Sequence, residues 1–300
     1  MANENLTRPS FAKAGLTARL TLAPALSALA EAAEWLDAHG CQPVLDAESA
    51  AAARLTRWPT AAHDALATEV DVLIAFGGDG TLLAAAGSVA GSPVDIPVLG
   101  VNLGHLGFLT EIGRHELTAA LDAMLAGRTR LETRLLLTGR VERAGQLAAQ
   151  RLALNDIVIT RGPLSRMIEI DVTVDGDFVC HVKADGLIVA TATGSTAYNL
   201  SAGGPIVHPS VDAFLLTPIA PHTLTNRPLV LPATAEVAMR PVIDPQSTDI
   251  LVTFDGQHGV PLQRDDAIVV GRAARRLSFL RTTTRTHFDM LRDKLKWGNS

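Results

Sequence analysis

The chain has 300 residues, enough for two domains or one large one with a sizeable core. Its 47% hydrophobic and 19% charged residues exclude a disordered chain. Twenty-six basic against thirty-one acidic residues leave a net charge of −5, and no basic cluster with interleaved aromatics occurs, which argues against a nucleic-acid surface.

In chain order, residues 1–14 read as frayed, and their lack of a basic segment followed by an apolar core argues against a signal peptide. Leu16–Leu22 reads as a first strand. Pro24 suits the start of a helix running to about His39, with Gly40 as its C-terminal cap. Interruptions by Thr17, Arg19, Pro24 and Glu31 exclude a membrane span over 16–33. Pro43–Leu45 predicts a short strand and Glu48–Leu55 a helix. Val70–Phe76 predicts a buried strand, Leu82–Val89 a helix, and Ile96–Val101 another strand. His115–Leu125 predicts an amphipathic helix with Leu117, Leu121 and Leu125 on one face. This alternation argues for a parallel sheet, whose ligands bind at the carboxyl ends of the strands.

Near residue 130 the pattern changes. From Leu131 to about Leu280 the runs alternate like strands. Ile168, Ile170, Val172 and Val174 share one face, and Asp175-Gly176 predicts a hairpin turn into Phe178–Val182. Ile250–Phe254, Val260–Leu262 and Ala267–Val270 continue the series, with one short helix over Thr196–Ala202. His287–Trp297 is helical again and is expected to return to the first domain. The expected architecture is an α/β domain (1–130 plus 281–300) of Rossmann-like type and an antiparallel, β-sandwich-like domain (131–280). Cys41 and Cys180 form no CxxC, so a reducing cytoplasm is the expected compartment.

Three stretches carry chemistry. The first is Gly77-Gly78-Asp79-Gly80-Thr81, where a strand meets a helix N-terminus. Such a turn brings backbone N–H groups close to phosphates. Asp79 is out of place there unless a cation intervenes, or it takes a proton from a reacting hydroxyl, or it merely caps the helix. The second is Lys183 to Ser201, a strand ending in hydroxyl side chains around the single tyrosine, Tyr198. Hydroxyls and small residues there suit a flat ring and its polar edge. The third is Asn155-Asp156, adjacent polar residues in or at the start of a strand, one of which faces the core or a cleft unless the strand is bulged. The histidines show no ligand spacing, no residue stands out as a metal ligand, and neither a Walker A pattern nor a GxSxG elbow occurs.

Together these stretches resemble the NAD kinase family. The matching segments are Gly77–Thr81, Gly104-His105-Leu106-Gly107-Phe108-Leu109-Thr110, Asn155-Asp156, Asp185 to Ser201 with Gly203-Gly204-Pro205, and Pro221-His222-Thr223-Leu224 through Arg227-Pro228. The resemblance covers about residues 70–258. It implies an α/β domain and a β domain with NAD held between them. It also implies transfer of the γ-phosphoryl of ATP, or of a phosphoryl of polyphosphate, to the 2′-hydroxyl of the adenosine ribose, giving NADP.

By the same resemblance Asp79 is the catalytic carboxylate, and Gly77, Gly78, Gly80 and Thr81 lie against phosphates. Phe108, Asn155, Asp156, Lys183, Asp185, Thr196, Ala197, Tyr198, Ser201 and Ala220 fall at NAD-contacting positions. Mg²⁺ or Mn²⁺ is the implied cofactor and a homo-oligomer the implied assembly, with no membrane or nucleic-acid partner. Two departures stand out: Asp156 replaces the family's usual Glu, and Ala192 its usual Pro. The competing readings are a lipid or sugar kinase sharing the glycine–aspartate loop, a non-catalytic NADP(H)-binding regulator, and a dehydrogenase. The last would want a G-x-G-x-x-G turn.

Overall fold

The run from Val72 to Gly77 is buried along its whole length, as a strand covered on both faces must be. It organises the first of two units into which the chain divides, residues 1–133 with 277–300 and residues 134–276. The computed structural model describes residues 11–104, 107–162, 167–223, 225–243, 250–282 and 285–297.

The first unit comprises β1 (Lys13–Ala18), α1 (Ala23–Ala38), β2 (Gln42–Asp46), α2 (Ala47–Ala53), β3 (Thr60–Ala61), α3 (His63–Leu66), β4 (Val72–Gly77), α4 (Asp79–Gly91), β5 (Val98–Asn102), β6 (Ile112–Gly113) and α5 (Leu117–Leu125). The strands run parallel in the order β3-β2-β1-β4-β5, and β6 pairs with β5. Pro24 sits in the first turn of α1, where its missing N–H costs nothing. Ala25, Ala28, Leu29, Ala32, Ala33 and Leu36 bury one face of that helix against Leu16, Ile74 and Phe76. The first strand is Lys13–Ala18, earlier than expected. Arg19 to Leu22 instead form the turn that feeds α1, with Leu22 N–H bonded to the Arg19 carbonyl.

The second unit contains most of β7 (Arg130–Arg143), then β8 (Gln146–Ala153), β9 (Asp156–Arg161), β10 (Ile168–Val174), β11 (Asp177–Ala184), β12 (Gly186–Thr191), α6 (Tyr198–Ser201), β13 (Ala213–Ile219), β14 (Leu229–Pro232), β15 (Val237–Val242), β16 (Ile250–Phe254), β17 (His258–Pro261) and most of β18 (Ala267–Arg281). One antiparallel sheet has the order β14-β13-β12-β9-β16-β17, and in the other β11-β10-β15-β18 are antiparallel neighbours. Leucine, isoleucine, valine and phenylalanine side chains of both sheets form one core, among them Ile157, Ile170, Val189, Phe214 and Phe254. The β10–β11 turn is Asp175-Gly176 as expected. Both residues have positive φ (52° and 90°), the geometry that matches strand twist in a two-residue hairpin.

The final helix, α7 (His287–Leu295), is capped by Thr286, whose hydroxyl accepts from Asp289 N–H while the Asp289 carboxylate accepts from Thr286 N–H. It belongs to the first unit. The architecture is the expected one, α/β followed by antiparallel β and a last helix. No helix among the described residues is long and apolar enough to cross a membrane.

Candidate active site

The helix after β4 starts at Asp79 itself, three residues earlier than the apolar run predicts. Gly78 is its N-cap and supplies no side-chain cap, and the Asp79 carboxylate turns to a second loop instead. Asp79 Oδ2 accepts from Phe108 N–H at 2.8 Å. Oδ1 accepts from Leu109 N–H (3.2 Å), Thr110 N–H (3.1 Å) and the Thr110 hydroxyl (2.9 Å). A helix-capping role for Asp79 is therefore corrected: its oxygens bind residues about thirty positions further along the chain. The approach is close enough to require glycine at position 107, where a Cβ would stand 1.8 Å from Asp79 Oδ1. The loop is braced in turn by Arg281, which donates to the Leu109 carbonyl at 3.0 Å and pairs with Glu111 and Glu132. The Phe108 ring lies 6.0 Å from Lys294 Nζ. His105 and Leu106 of the same motif lie outside the described residues.

Beside the glycine turn opens a cavity of about 580 Å³, lined by Thr17, Arg19, Asp46, Glu48, His63, Gly78, Gly80 and Thr81 among others. Nothing lies within 4 Å of where a Cβ on Gly78 or Gly80 would point, so the turn leaves room for a ligand to approach the backbone. Gly77 instead packs on Thr81, whose Oγ1 would stand 2.2 Å from a Cβ there. The positive end of the α4 dipole and the Arg19 guanidinium give this cavity an anion-attracting wall. Asp46 is the opposing charge. Its Oδ2 accepts from Ser49 N–H (2.9 Å) and the Ser49 hydroxyl (2.7 Å), capping α2. Among the described residues its Oδ1 has no hydrogen-bond partner but lies 3.4 Å from His63 Nδ1, an ion pair too long to be a well-made hydrogen bond. Burial works against the Asp46 charge, yet the contacts with His63 and Ser49 prevail and hold its carboxyl below the usual range. The same Asp46 contact lifts His63 above its ordinary value, against partial burial.

In the second unit, Asn155 precedes β9 and Asp156 opens it, so the pair sits at a strand start and not within a strand. Asp255, at the β16–β17 turn, holds this start in place. Its carboxylate accepts from Leu154 N–H (2.8 Å), Asn155 N–H (2.7 Å) and Asp156 N–H (3.0 Å). Asn155 is buried and among the described residues its Oδ1 has no hydrogen-bond partner, an acceptor left for a ligand donor. Burial, and then the neighbouring Asp255 charge, push the Asp156 carboxyl up to about 7.

Asp185 accepts from Arg161 Nε at 2.8 Å, and Lys183 donates to Glu169 at 2.8 Å. The expected contact of Lys183 with NAD thus competes with an exposed ion pair, which contributes little by itself. The polar stretch after β12 folds into a tight 3₁₀ turn (Gly194–Thr196) and the four-residue α6, shorter than the helix expected over Thr196–Ala202. Thr196 bonds the Thr193 carbonyl, Ala197 links the two turns, and Ser201 ends α6. Tyr198 is 45% exposed, so its ring is available for stacking. Ala220 lies just past β13 with φ at 45°, a left-handed position unusual for alanine.

Several contributors were not legible from residue types. Asn199 bonds the Ser195 and Pro205 carbonyls and accepts from Thr217, tying the polar loop together. Arg19, His63 and Asp46 come from separate segments and meet only in the fold. In the sequence Asp255 offers only the Asp-Gly signal of a turn. A signal existed for Thr110 alone, inside the second glycine motif.

Comparison with known proteins agrees with this geometry. Residues 25–129 match the ATP-NAD kinase N-terminal domain, and residues 154–282 the ATP-NAD kinase C-terminal domain. The NAD kinase of Citrifermentans bemidjiense is 42% identical over 91% of this chain and 94% of its own. That of Geobacter metallireducens is 47% identical over 76% and 79%. Among solved structures, a yeast NADH kinase complexed with NADH superposes with a TM-score of 0.86 at 26% identity, covering 98% of this chain and 90% of that one. An Archaeoglobus fulgidus NAD kinase in complex with ATP gives 0.73 at 25% identity, covering 95% and 98%. The C-terminal match spans the Asp185–Ser201 stretch that a lipid kinase would not need, and a dehydrogenase or a lipid or sugar kinase is not favoured. With both domains matched and close relatives along nearly its whole length, the chain belongs to the NAD kinase family, enzymes that phosphorylate NAD to NADP.

Proposed function

We propose that Asp79 is the base of this reaction and that the 580 Å³ cavity beside it takes the phosphates of the donor. The observation that carries the reading is the Asp79 carboxylate, gripped by the second glycine loop at the mouth of an anion-attracting turn. ATP is the donor, with polyphosphate as a second donor to assay. The acceptor hydroxyl gives its proton to Asp79 as its oxygen bonds to the γ-phosphorus, and the bond from phosphorus to the leaving ADP oxygen breaks with its electron pair. Base assistance of this kind is worth about 10²–10⁴-fold, and correct positioning about 7–11 kcal/mol.

Asn155 and Asp156 offer hydrogen bonds to the nucleoside groups of NAD. Tyr198, with Thr196, Ala197, Ser201, Asp185, Ala220 and Phe108, receives its rings and edges, and Lys183 its diphosphate once released from Glu169. Mg²⁺ or Mn²⁺ supplies neutralisation of the donor's phosphates. Such an ion keeps most of its ligands on phosphate and water and needs one or two carboxylates. Asp46 and Glu48, both on the cavity wall, fit that need, and Asp46 Oδ1 lacks a hydrogen-bond partner. Among the described residues no group of three or more His, Cys, Asp or Glu gathers to hold an ion alone. The free cysteines Cys41 and Cys180 support a cytoplasmic location.

The test is a coupled assay: protein, ATP, Mg²⁺ and NAD, with NADP read by an NADP-specific dehydrogenase. Asp79→Asn is expected to keep NAD binding and folding while turnover falls about a hundredfold or more. Near-normal turnover in that variant removes Asp79 from the role of base.

A further inference from the structure

The two oxygens of Asp79 are filled unevenly. Oδ1 receives three donors, Leu109 N–H, Thr110 N–H and the Thr110 hydroxyl. Among the described residues Oδ2 receives one, Phe108 N–H at 2.8 Å. A carboxylate oxygen offers two lone pairs, so Oδ1 is saturated and Oδ2 keeps one in reserve.

The direction of the Thr110 hydroxyl follows from its neighbours. Gly104 N–H donates to Asn102 Oδ1 at 2.8 Å, which turns the amide oxygen toward Gly104 and the NH₂ group toward Thr110. Asn102 Nδ2 then donates to Thr110 Oγ1 at 2.7 Å. The hydroxyl already accepts, so its own hydrogen goes to Asp79 Oδ1 at 2.9 Å. Asn102 and Thr110 are 3% and 0% exposed, so bulk water does not compete. The Gly104 N–H thus gives a direction to the series of hydrogen bonds from Gly104 through Asn102 and Thr110 to Asp79.

We infer that Thr110 and Asn102 are positioning residues for phosphoryl transfer, saturating Asp79 Oδ1 so that Oδ2 is the atom presented to the acceptor hydroxyl. The inference rests on Asp79 as the base. The O–H bond of the acceptor breaks, its proton goes to Oδ2, and its electron pair forms the new O–P bond. The P–O bond to the donor's leaving diphosphate breaks and takes its own pair.

Three single variants and one double variant test the relay. Thr110→Val keeps the shape and removes the hydroxyl. Thr110→Ser restores it. Asn102→Asp still accepts from Gly104 but offers a second acceptor to Thr110, which draws the hydroxyl hydrogen away from Asp79. Losing one hydrogen bond to a charged group predicts a kcat about tenfold or more below wild type for Thr110→Val and Asn102→Asp. The KM values for NAD and ATP should stay within about twofold, because only the transition state feels the change. Thr110→Ser should recover kcat to within about threefold of wild type, and the double variant should be no slower than the worse single one, as for residues acting as one unit.

Wild-type kcat in Thr110→Val overturns the inference. So does a parallel rise of both KM values with a lowered melting temperature that serine does not repair, since that marks a structural tie only. Multiplying effects in the double variant overturn the relay as well. Asp79→Asn, measured alongside, separates the two readings. An active Asp79→Asn refutes the base itself, whereas an inactive Asp79→Asn with an unimpaired Thr110→Val refutes the relay alone.

Discussion

Asp156 is the residue whose environment departs furthest from what its type suggests. It is buried beside a second carboxylate, Asp255, and its carboxyl titrates near 7 because burial first, and the Asp255 charge second, disfavour the ionised form. An unfolded aspartate titrates near its ordinary value of 3.8, so between there and 7 the native state holds the extra proton. Stability from this group is therefore full below about pH 4, declines as pH rises toward 7, and is flat above. Asp156→Asn keeps the shape and an N–H donor and removes the titration. The ligand-free variant should gain stability relative to wild type as pH rises from 5 to 8, by about a few kcal/mol at most. Melting curves at the two pH values check this, and a variant-to-wild-type difference that does not move with pH refutes the raised carboxyl. The sequence placed Asp156 in a binding role through resemblance. It did not reveal the titration, because Asp255 lies about a hundred residues away and its proximity exists only once β16 pairs with β9.

At the scale of elements, the site is made where two strand ends release two glycine turns. The parallel order was legible from alternation of apolar runs and helices, and the turn from its glycines. The contact between the turns was not, because a carboxylate at a helix start has local partners in its own first turn and sequence offers no reason to prefer remote ones. Gly107 is where that contact is most exposed to test. A Cβ there would stand 1.8 Å from Asp79 Oδ1, and the nearby atoms are the carboxylate itself. Gly107→Ala is therefore expected to displace Asp79 from the loop and lower kcat by about a hundredfold or more, as a misplacement of about 1 Å does. Residue 107 is not among the buried apolar side chains of the first unit's core, which come from α1, β1, β4, β5, β6 and α5 among others, so circular dichroism should still report a folded variant. Retained kcat would show that the loop yields without moving the base. The same logic explains why α6 came out shorter than its polar, helix-like sequence: Asn199 spends its amide on Ser195 and Pro205 carbonyls and its oxygen on Thr217, which closes a loop and ends the helix.

At the scale of the whole molecule, the β domain's edges bear on assembly. β11 ends one run of strands and β14 another, and an edge strand exposes unpaired backbone groups to any second chain. Phe178 on β11 is 67% exposed and Val230 on β14 56%, with Val179 and Leu229 beside them. Apolar side chains on sheet edges mark surfaces that a partner covers, and a second copy presenting the same edge can bury them about a two-fold axis. We propose that the protein forms a homo-oligomer through these edges, the assembly expected from the family resemblance. Light scattering at micromolar concentration should then return a multiple of the 31.6 kDa chain mass. Phe178→Glu or Val230→Glu, each placing a charge where the partner's apolar surface would lie, should shift the mass toward that of one chain. Both positions are solvent-facing in the isolated chain, so circular dichroism and the melting temperature of a monomeric variant should remain close to those of a folded protein. A wild type that scatters as a single chain refutes the assembly, and variants that both remain oligomeric move the interface away from these two strands.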